Sequence, residues 1–322
     1  MKTRHFLRDD DISPAEQRLV LAAAAQLSVK PTAVKRALSG SSIGLFFEKP
    51  SLRTRVSAET ASVNLGAHPL QLRADDLQLH RGETAGDSAR VLCGYLSLLM
   101  ARVNRHSLLE EFAEPNTLSV VNGLSERFHP LQALADLLTM HQEWNGDIKG
   151  RKLVYLGDGN NVCHSLMLAG AMAGLHVVAA CPHSYSPDEA VLTRAQELAS
   201  ASGGSVTVEA DPQTAAENAD ALYADVWTSM GDEGQEAERC AVFAPYQLNQ
   251  KLMKLAKPGA IALHCLPAHR DEEISTEVFE GKQSRVFPQA HNRLPATAAL
   301  FLFMLSPEVC EALASLTGGT KK

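Results

Sequence analysis

From residue 152 to residue 263 the chain alternates short apolar runs with longer mixed segments, and this alternation constrains its fold more than any other feature. The runs 152–156, 177–180, 206–208, 221–224 and 260–263 read as strands, and 162–174, 187–200, 212–218 and 245–256 between them read as helices. Strands separated by helices of this length build a parallel sheet, because each helix carries the chain back to the start of the next strand. Ligands of such sheets collect at the carboxyl ends of the strands. The distinctive polar residues fall there: Asp158-Gly159-Asn160-Asn161 after the first run, 225–231 (Asp-Val-Trp-Thr-Ser-Met-Gly) after the fourth, and His264-Cys265-Leu266-Pro267 after the fifth.

The first half carries its own strand-to-helix junction. An apolar run, 43–47, is stopped by Pro50; Ser51 follows as a natural N-cap, and Arg53, Thr54 and Arg55 occupy the first helical turn. Val56 and Val63 continue at helical spacing as the apolar side. A helix start of this kind offers unpaired N–H groups and the positive end of the helix dipole, and arginine adds a fork that matches phosphate oxygens. The motif therefore reads as a phosphate site, with an ordinary capped helix and solvated arginines as the plain alternative. Further on, 118–122 is a strand, 92–101 an apolar strand or helix ending at Arg102, and 75–87 a polar loop. His129 and Gln132 open a helix whose Pro130 sits at the favoured first position. Residues 1–40 read as helical, with a second short helix starting at Pro31. The segment 292–316 is mostly helical, and its 299–305 turn has no polar face and should be buried all round.

With 322 residues the chain has room for two domains, and Asn145-Gly146-Asp147 is the expected junction. A net charge of −7 speaks against a general nucleic-acid binder. No apolar run reaches the length of a membrane span, and no apolar stretch of signal-peptide type follows the basic start. The six cysteines form no C-x-x-C pair and no zinc-type cluster, so they read as reduced thiols of a cytoplasmic protein, with no metal. The turn at Gly157 and Gly159 lacks the third glycine of a dinucleotide fingerprint, which argues against a nicotinamide cofactor. Asn161 at a helix start suits a carboxylate or an amine, and Asp225 at a strand end suits an ammonium group or simply caps a loop. Cys265 reads as a packing residue, since its neighbour His264 points to the opposite face of an extended chain.

Five motifs run in order: Ser-x-Arg-Thr-Arg (51–55), His-Pro-x-Gln (129–132), Asp-Gly-Asn-Asn (158–161), Asp-x-x-x-Ser-Met-Gly (225–231) and His-Cys-Leu-Pro (264–267). Together they resemble the aspartate/ornithine carbamoyltransferase family, and its ornithine branch in particular, over about residues 43–305. The resemblance implies two α/β domains with the active site in the cleft between them. Residues 1–145 would bind carbamoyl phosphate, with 292–322 returning to them, and 146–291 would bind ornithine. It implies transfer of a carbamoyl group from carbamoyl phosphate to the δ-amine of ornithine, giving citrulline and phosphate, without metal or cofactor, in a homotrimer. Ser51, Leu52, Arg53 and Thr54 would hold the phosphate. Arg102, His129 and Gln132 would contact the carbonyl and phosphate side, and Gln78 would reach a neighbouring subunit's site. Asn161, Asp225, Ser229 and Met230 would bind ornithine, Cys265 and Leu266 would line the reacting centre, and Arg293 would close on carbamoyl phosphate. Departures from the family pattern are His80 in place of Gly, Leu131 in place of Cys, Gln289 and His291 in place of acidic residues, and Pro295-Ala296-Thr297. A sister enzyme using another amine or an acylated ornithine, and a non-catalytic carbamoyl phosphate-binding relative, are the alternatives.

Overall fold

The computed structural model describes residues 3–73, 77, 82–228 and 234–316. Contacts divide the chain into two compact units, one of Met1–Leu138 with His291–Lys322 and one of Thr139–Ala290. In chain order the elements are α1 (Pro14–Val29), β1 (Ser42–Phe47), α2 (Leu52–Leu65), β2 (His68–Arg73), α3 (Ala85–Leu92), β3 (Leu98–Arg102), α4 (His106–Ala113), β4 (Ser119–Leu124) and α5 (Pro130–Glu143). There follow β5 (Lys152–Leu156), α6 (Asn161–Met172), β6 (His176–Ala180), α7 (Glu189–Ser202), β7 (Ser205–Glu209), α8 (Pro212–Ala216), β8 (Ala221–Ala224) and α9 (Glu236–Phe243). The chain ends with α10 (Gln250–Leu255), β9 (Ile261–His264), α11 (Thr276–Phe279), α12 (Val286–His291), α13 (Arg293–Leu305) and α14 (Pro307–Ser315).

The first unit holds a four-stranded parallel sheet in the order β2-β1-β3-β4, and the second a five-stranded parallel sheet in the order β7-β6-β5-β8-β9. In each sheet one interior pair marks where the strand order turns back: β1/β3 in the first and β5/β8 in the second. Helices from successive strands leave to opposite sides at such a point and open a crevice beyond the strand ends. The strands that bound the crevices are buried on both faces, as an all-parallel sheet requires: β5 and β8 lose Val154, Tyr155, Leu156, Leu222, Tyr223 and Ala224 completely from solvent. Helices α13 and α14 belong to the first unit, where α13 packs on α1 and α2. Every residue from Ala296 to Leu305 is buried, so the turn without a polar face is a core helix, as its sequence predicts.

Three local expectations are corrected. The segment after Pro31 is a succession of turns and not a helix. Its bonds run from Ala33, Lys35, Ala37 and Ser39 to the carbonyls three residues back. Leu38 is its one buried residue, too little apolar surface to hold an α-helical face. On α2 the buried side is Thr54, Ser57, Ala58, Ala61, Ser62 and Leu65, while Val56 and Val63 are exposed at 47% and 57%. Small residues let α2 lie close against α13, and the valines are turned outward. The expected helix over 245–256 is broken: residues Ala244–Tyr246 form a 3-10 turn, and the α-helix begins only after the Asn249 cap.

Phe301, on α13, is among the largest fully buried side chains of the first unit. Phe301→Ala should lower stability by about 3–5 kcal/mol, read as an earlier first transition in urea unfolding followed by circular dichroism.

Candidate functional site

In the first unit the crevice end of the sheet is built by four segments. Ser51 occupies the N-cap position of α2 in an extended conformation, but its side chain makes no capping bond. Leu52 is 75% exposed, Arg53 half-buried, and Thr54 is turned into the interior. Arg102 ends β3, the neighbour of β1. His129 and Gln132 stand at the start of α5, and Arg293 opens α13; all three are buried.

Arg293 ties these segments together. Its Nη2 donates to Thr54 Oγ1 at 2.8 Å, and its Nη1 donates to Gln132 Oε1 at 2.5 Å and faces His129 Nε2 at 3.3 Å. Arg102 Nη1 donates to the same Thr54 hydroxyl at 3.3 Å. Gln132 is held in turn by Asp136, whose Oδ1 accepts from Gln132 Nε2 at 2.7 Å. A guanidinium only donates, so His129 Nε2 is an acceptor and the ring proton sits on Nδ1. Burial, then the charges of Arg293, Arg102 and Arg53, hold His129 well below the usual imidazole range. The site thus gathers three cations around a neutral imidazole, an arrangement that favours a dianion.

In the second unit the β5/β8 crevice is lined by a different chemistry. Asn160, not Asn161, is the N-cap of α6: its Oδ1 accepts from Val162 and Cys163 backbone N–H groups and from the Tyr155 hydroxyl at 3.2 Å. Burial, with the Asp225 charge adding to it, raises the Tyr155 phenol well above its ordinary value, so it stays a donor. Asn160 Nδ2 donates to Asp225 Oδ2 at 2.8 Å. Asp225 Oδ1 accepts from the Val226 N–H at 2.8 Å and from the Cys265 thiol at 2.9 Å. Asn161 is the first residue of α6 and half-buried. Gly159 is fixed by space: a Cβ there would meet the backbone nitrogen of Pro187 at 2.3 Å.

His264 takes no part with Cys265. Fully buried, its Nδ1 accepts from the Leu266 N–H and its Nε2 donates to Glu273 Oε1 at 3.1 Å. Leu266, half-buried, turns the chain with a φ of 60°, a conformation rare outside glycine. Gln289, also buried, accepts from the His264 backbone N–H at 2.8 Å. Among the described residues, His269, Glu272 and Glu273 are the group whose ligand-type atoms approach one another, within 4.8 Å. Oε1 of Glu273 there accepts from His264 Nε2 and from the His269 N–H. Gln78, Ser229 and Met230 lie outside the described residues.

Residues 4–142 match the carbamoyl phosphate-binding domain of the aspartate/ornithine carbamoyltransferases, and 149–304 match the Asp/Orn-binding domain of the same family. The ornithine carbamoyltransferase of Acidothermus cellulolyticus is 50% identical over 302 residues, 94% of this chain and 96% of that one. The structure of ornithine carbamoyltransferase from Pyrococcus furiosus superimposes with a TM-score of 0.90 at 45% identity, covering 99% and 98% of the two chains. The anabolic ornithine carbamoyltransferase of Campylobacter jejuni gives a TM-score of 0.87 at 36% identity over 94% and 99%.

This chain belongs to the aspartate/ornithine carbamoyltransferase family.

Sequence reasoning named the residues of both clusters in this carbamoyltransferase but missed Asn160, Asp136 and Arg239, which hold them. Asn160 carried a signal, a capping side chain one residue ahead of a helix. Asp136 carried one too, four residues beyond Gln132 and so on the same helix face. Nothing local marks Arg239.

The neutral state of His129 has a measurable consequence. The unfolded chain takes up a proton at this imidazole near pH 6.5, while the folded one resists it. Stability is therefore full above that pH and falls as pH drops towards the lower folded value. Urea midpoints measured between pH 7.5 and 5 should decline less steeply in His129→Gln than in the parent, and equal slopes would contradict the neutral assignment.

Proposed function

We propose that the protein is an ornithine carbamoyltransferase, transferring the carbamoyl group of carbamoyl phosphate to the δ-amine of L-ornithine to give citrulline and phosphate. The observation that carries this reading is the gathering of Arg53, Arg102 and Arg293 around neutral His129 at one sheet crevice, in a chain of this family. In this reading the first unit binds carbamoyl phosphate. Ser51, with its hydroxyl unused for capping, Leu52 through its backbone, Arg53 and Thr54 hold the phosphate, and Arg102, His129, Gln132 and Arg293 hold the carbonyl side. The second unit binds ornithine through Asn161 and Asp225, with Ser229 and Met230 assigned by the family pattern alone, as is Gln78 to a neighbouring subunit's site. Cys265 and Leu266 line the reacting centre.

The chemistry follows from the charges. The δ-amine of ornithine, protonated in water, loses its proton and attacks the carbamoyl carbon. Negative charge moves first to the carbonyl oxygen and then to the departing phosphate. Fixed guanidinium groups aimed at those oxygens stabilise that charge more in the transition state than in the ground state. Asp225, held by hydrogen bonds from Asn160, the Val226 N–H and the Cys265 thiol, is the group assigned to the α-ammonium end. Anchoring that end brings the δ-amine to the carbamoyl carbon and removes entropy from the barrier. The first proton of the ammonium leaves to solvent before attack. As the new C–N bond forms, the carbamoyl C–O bond to phosphate breaks and the departing phosphate takes up the second proton from nitrogen. The proposed step uses neither a metal nor a covalent enzyme intermediate.

A homotrimer in the cytoplasm completes the reading. Leu52, Val56 and Val63 stand exposed along α2, and Leu70 is exposed on the edge strand β2, apolar groups suited to contact with a second copy of the chain. All six cysteines are free thiols, as a reducing compartment keeps them.

A colorimetric citrulline assay with carbamoyl phosphate and a panel of amines tests the activity. Ornithine should be the preferred acceptor, and Arg53→Ala should lose at least about a thousandfold in turnover with an unchanged circular dichroism spectrum. Preference for a different amine would replace ornithine in the reading, and near-normal turnover in the variant would remove the phosphate assignment. By sedimentation velocity the parent should run as a trimer and Val63→Asp as smaller species.

A further inference from the structure

Arg239 is a buried cation outside both clusters described above. It lies on α9, beyond residues 229–233 in sequence, with 4% of its surface exposed. Its Nε donates to the Trp227 carbonyl at 2.5 Å, and its Nη2 bonds the Asp158 carboxylate. The same guanidinium packs over the rings of Tyr185 at 4.9 Å and Phe243 at 5.2 Å, and Phe243 stacks on Trp227. Tyr185 in turn accepts the Gly159 N–H through its carbonyl.

These contacts join two loops that are far apart in sequence. Asp158 belongs to the turn that presents Asn160 and Asn161, and Trp227 lies two residues beyond Asp225. A buried guanidinium is strongly destabilising unless it is paired and hydrogen-bonded, and here its Nε and one Nη2 bond go to these loops. The aromatic walls fix the plane of the fork, and the fork fixes the separation of the loops. Arg239 is buried, with its Nε and Nη2 bonded to protein groups of the two loops that carry Asn161 and Asp225.

We propose that Arg239 is a positioning residue for the amino-acid substrate: it latches the β5–α6 turn to the loop after β8 and so sets the geometry in which the α-ammonium group is received. The inference rests on the ornithine carbamoyltransferase reading and deepens it. It separates binding of the two substrates, since Asp158, Tyr185, Trp227 and Phe243, the contacts described above, lie in the second unit.

The test is kinetic, with an exchange measurement that does not depend on activity. In Arg239→Gln the KM for ornithine should rise about tenfold or more, the size expected of a misplaced binding group, while the KM for carbamoyl phosphate stays within about twofold. Arg239→Lys, able to reach one of the two partners, should recover part of the loss. Asp158→Asn combined with Arg239→Gln should be no worse than Arg239→Gln alone, because the pair acts as a unit and the double change strands no charge. Hydrogen–deuterium exchange should quicken at 158–161 and 225–228 and stay unchanged at 51–55. An unaltered ornithine KM in Arg239→Gln, a parallel rise in both KM values, or additive losses in the double variant would overturn the latch. If the parent enzyme made no citrulline from ornithine, the functional reading would fail instead, and unchanged exchange at the two loops would still overturn the latch by itself.

Discussion

A guanidinium that bonds a hydroxyl 239 residues away in sequence closes the first unit around its anion site: Arg293, at the start of α13, meets Thr54, in the first turn of α2. Everything proposed for carbamoyl phosphate depends on that contact. Two more arginines stand beside it, and three like charges brought together in a buried place repel one another strongly. The protein meets this repulsion in two ways. It leaves His129 uncharged, so that the imidazole adds an acceptor and not a fourth cation. It also anchors Gln132 to Asp136, which fixes the amide oxygen towards Arg293. What remains is a site of concentrated positive potential, to which the proposed function assigns a doubly charged phosphate group as counter-charge.

The two sheets use the same topological device for opposite electrostatics. Each places its functional residues where the strand order reverses, at β1/β3 and at β5/β8. Beyond β1 and β3 the chain presents arginines. Beyond β5 and β8 it presents an asparagine cap and Asp225, whose carboxylate also accepts from the Cys265 thiol behind β9. Transfer of a carbamoyl group from an acyl phosphate to a diamino acid needs one site of each sign. The parallel sheet supplies the place, and the residues at the strand ends supply the sign.

How much of this the sequence disclosed follows from the range of the interactions. The strand ends in the second unit were legible because alternation sustained over a hundred residues can hardly fold into anything but a parallel sheet, and the polar residues sit directly behind the apolar runs. Helix α4 was overlooked although Leu108, Leu109 and Phe112 have the spacing of a buried face. The face of α2 was misassigned for a physical reason: hydrophobicity marks Val56 and Val63, whereas close packing against α13 selects serine and alanine, a choice visible only once the partner helix is known. Asn160 and Asn161 are chemically identical, and only backbone geometry decides that the first caps the helix while the second enters its first turn. Arg239 was invisible for a similar reason, because its partners are supplied by three separate loops.

One departure from the family pattern, Gln289, has a structural account of the same kind. Gln289 is fully buried, and its amide oxygen accepts the His264 N–H at the end of β9. An acidic residue offers the same acceptor at that place but brings a charge, which is costly to bury without a partner. The loop behind β9 already holds one buried carboxylate, Glu273, committed to His264 and to the His269 N–H. An uncharged amide at 289 keeps the bond to His264 and spares the loop a second buried charge. The substitution thus preserves the support under Cys265 and Leu266, and the contacts of Arg293 with Thr54, His129 and Gln132 do not involve it.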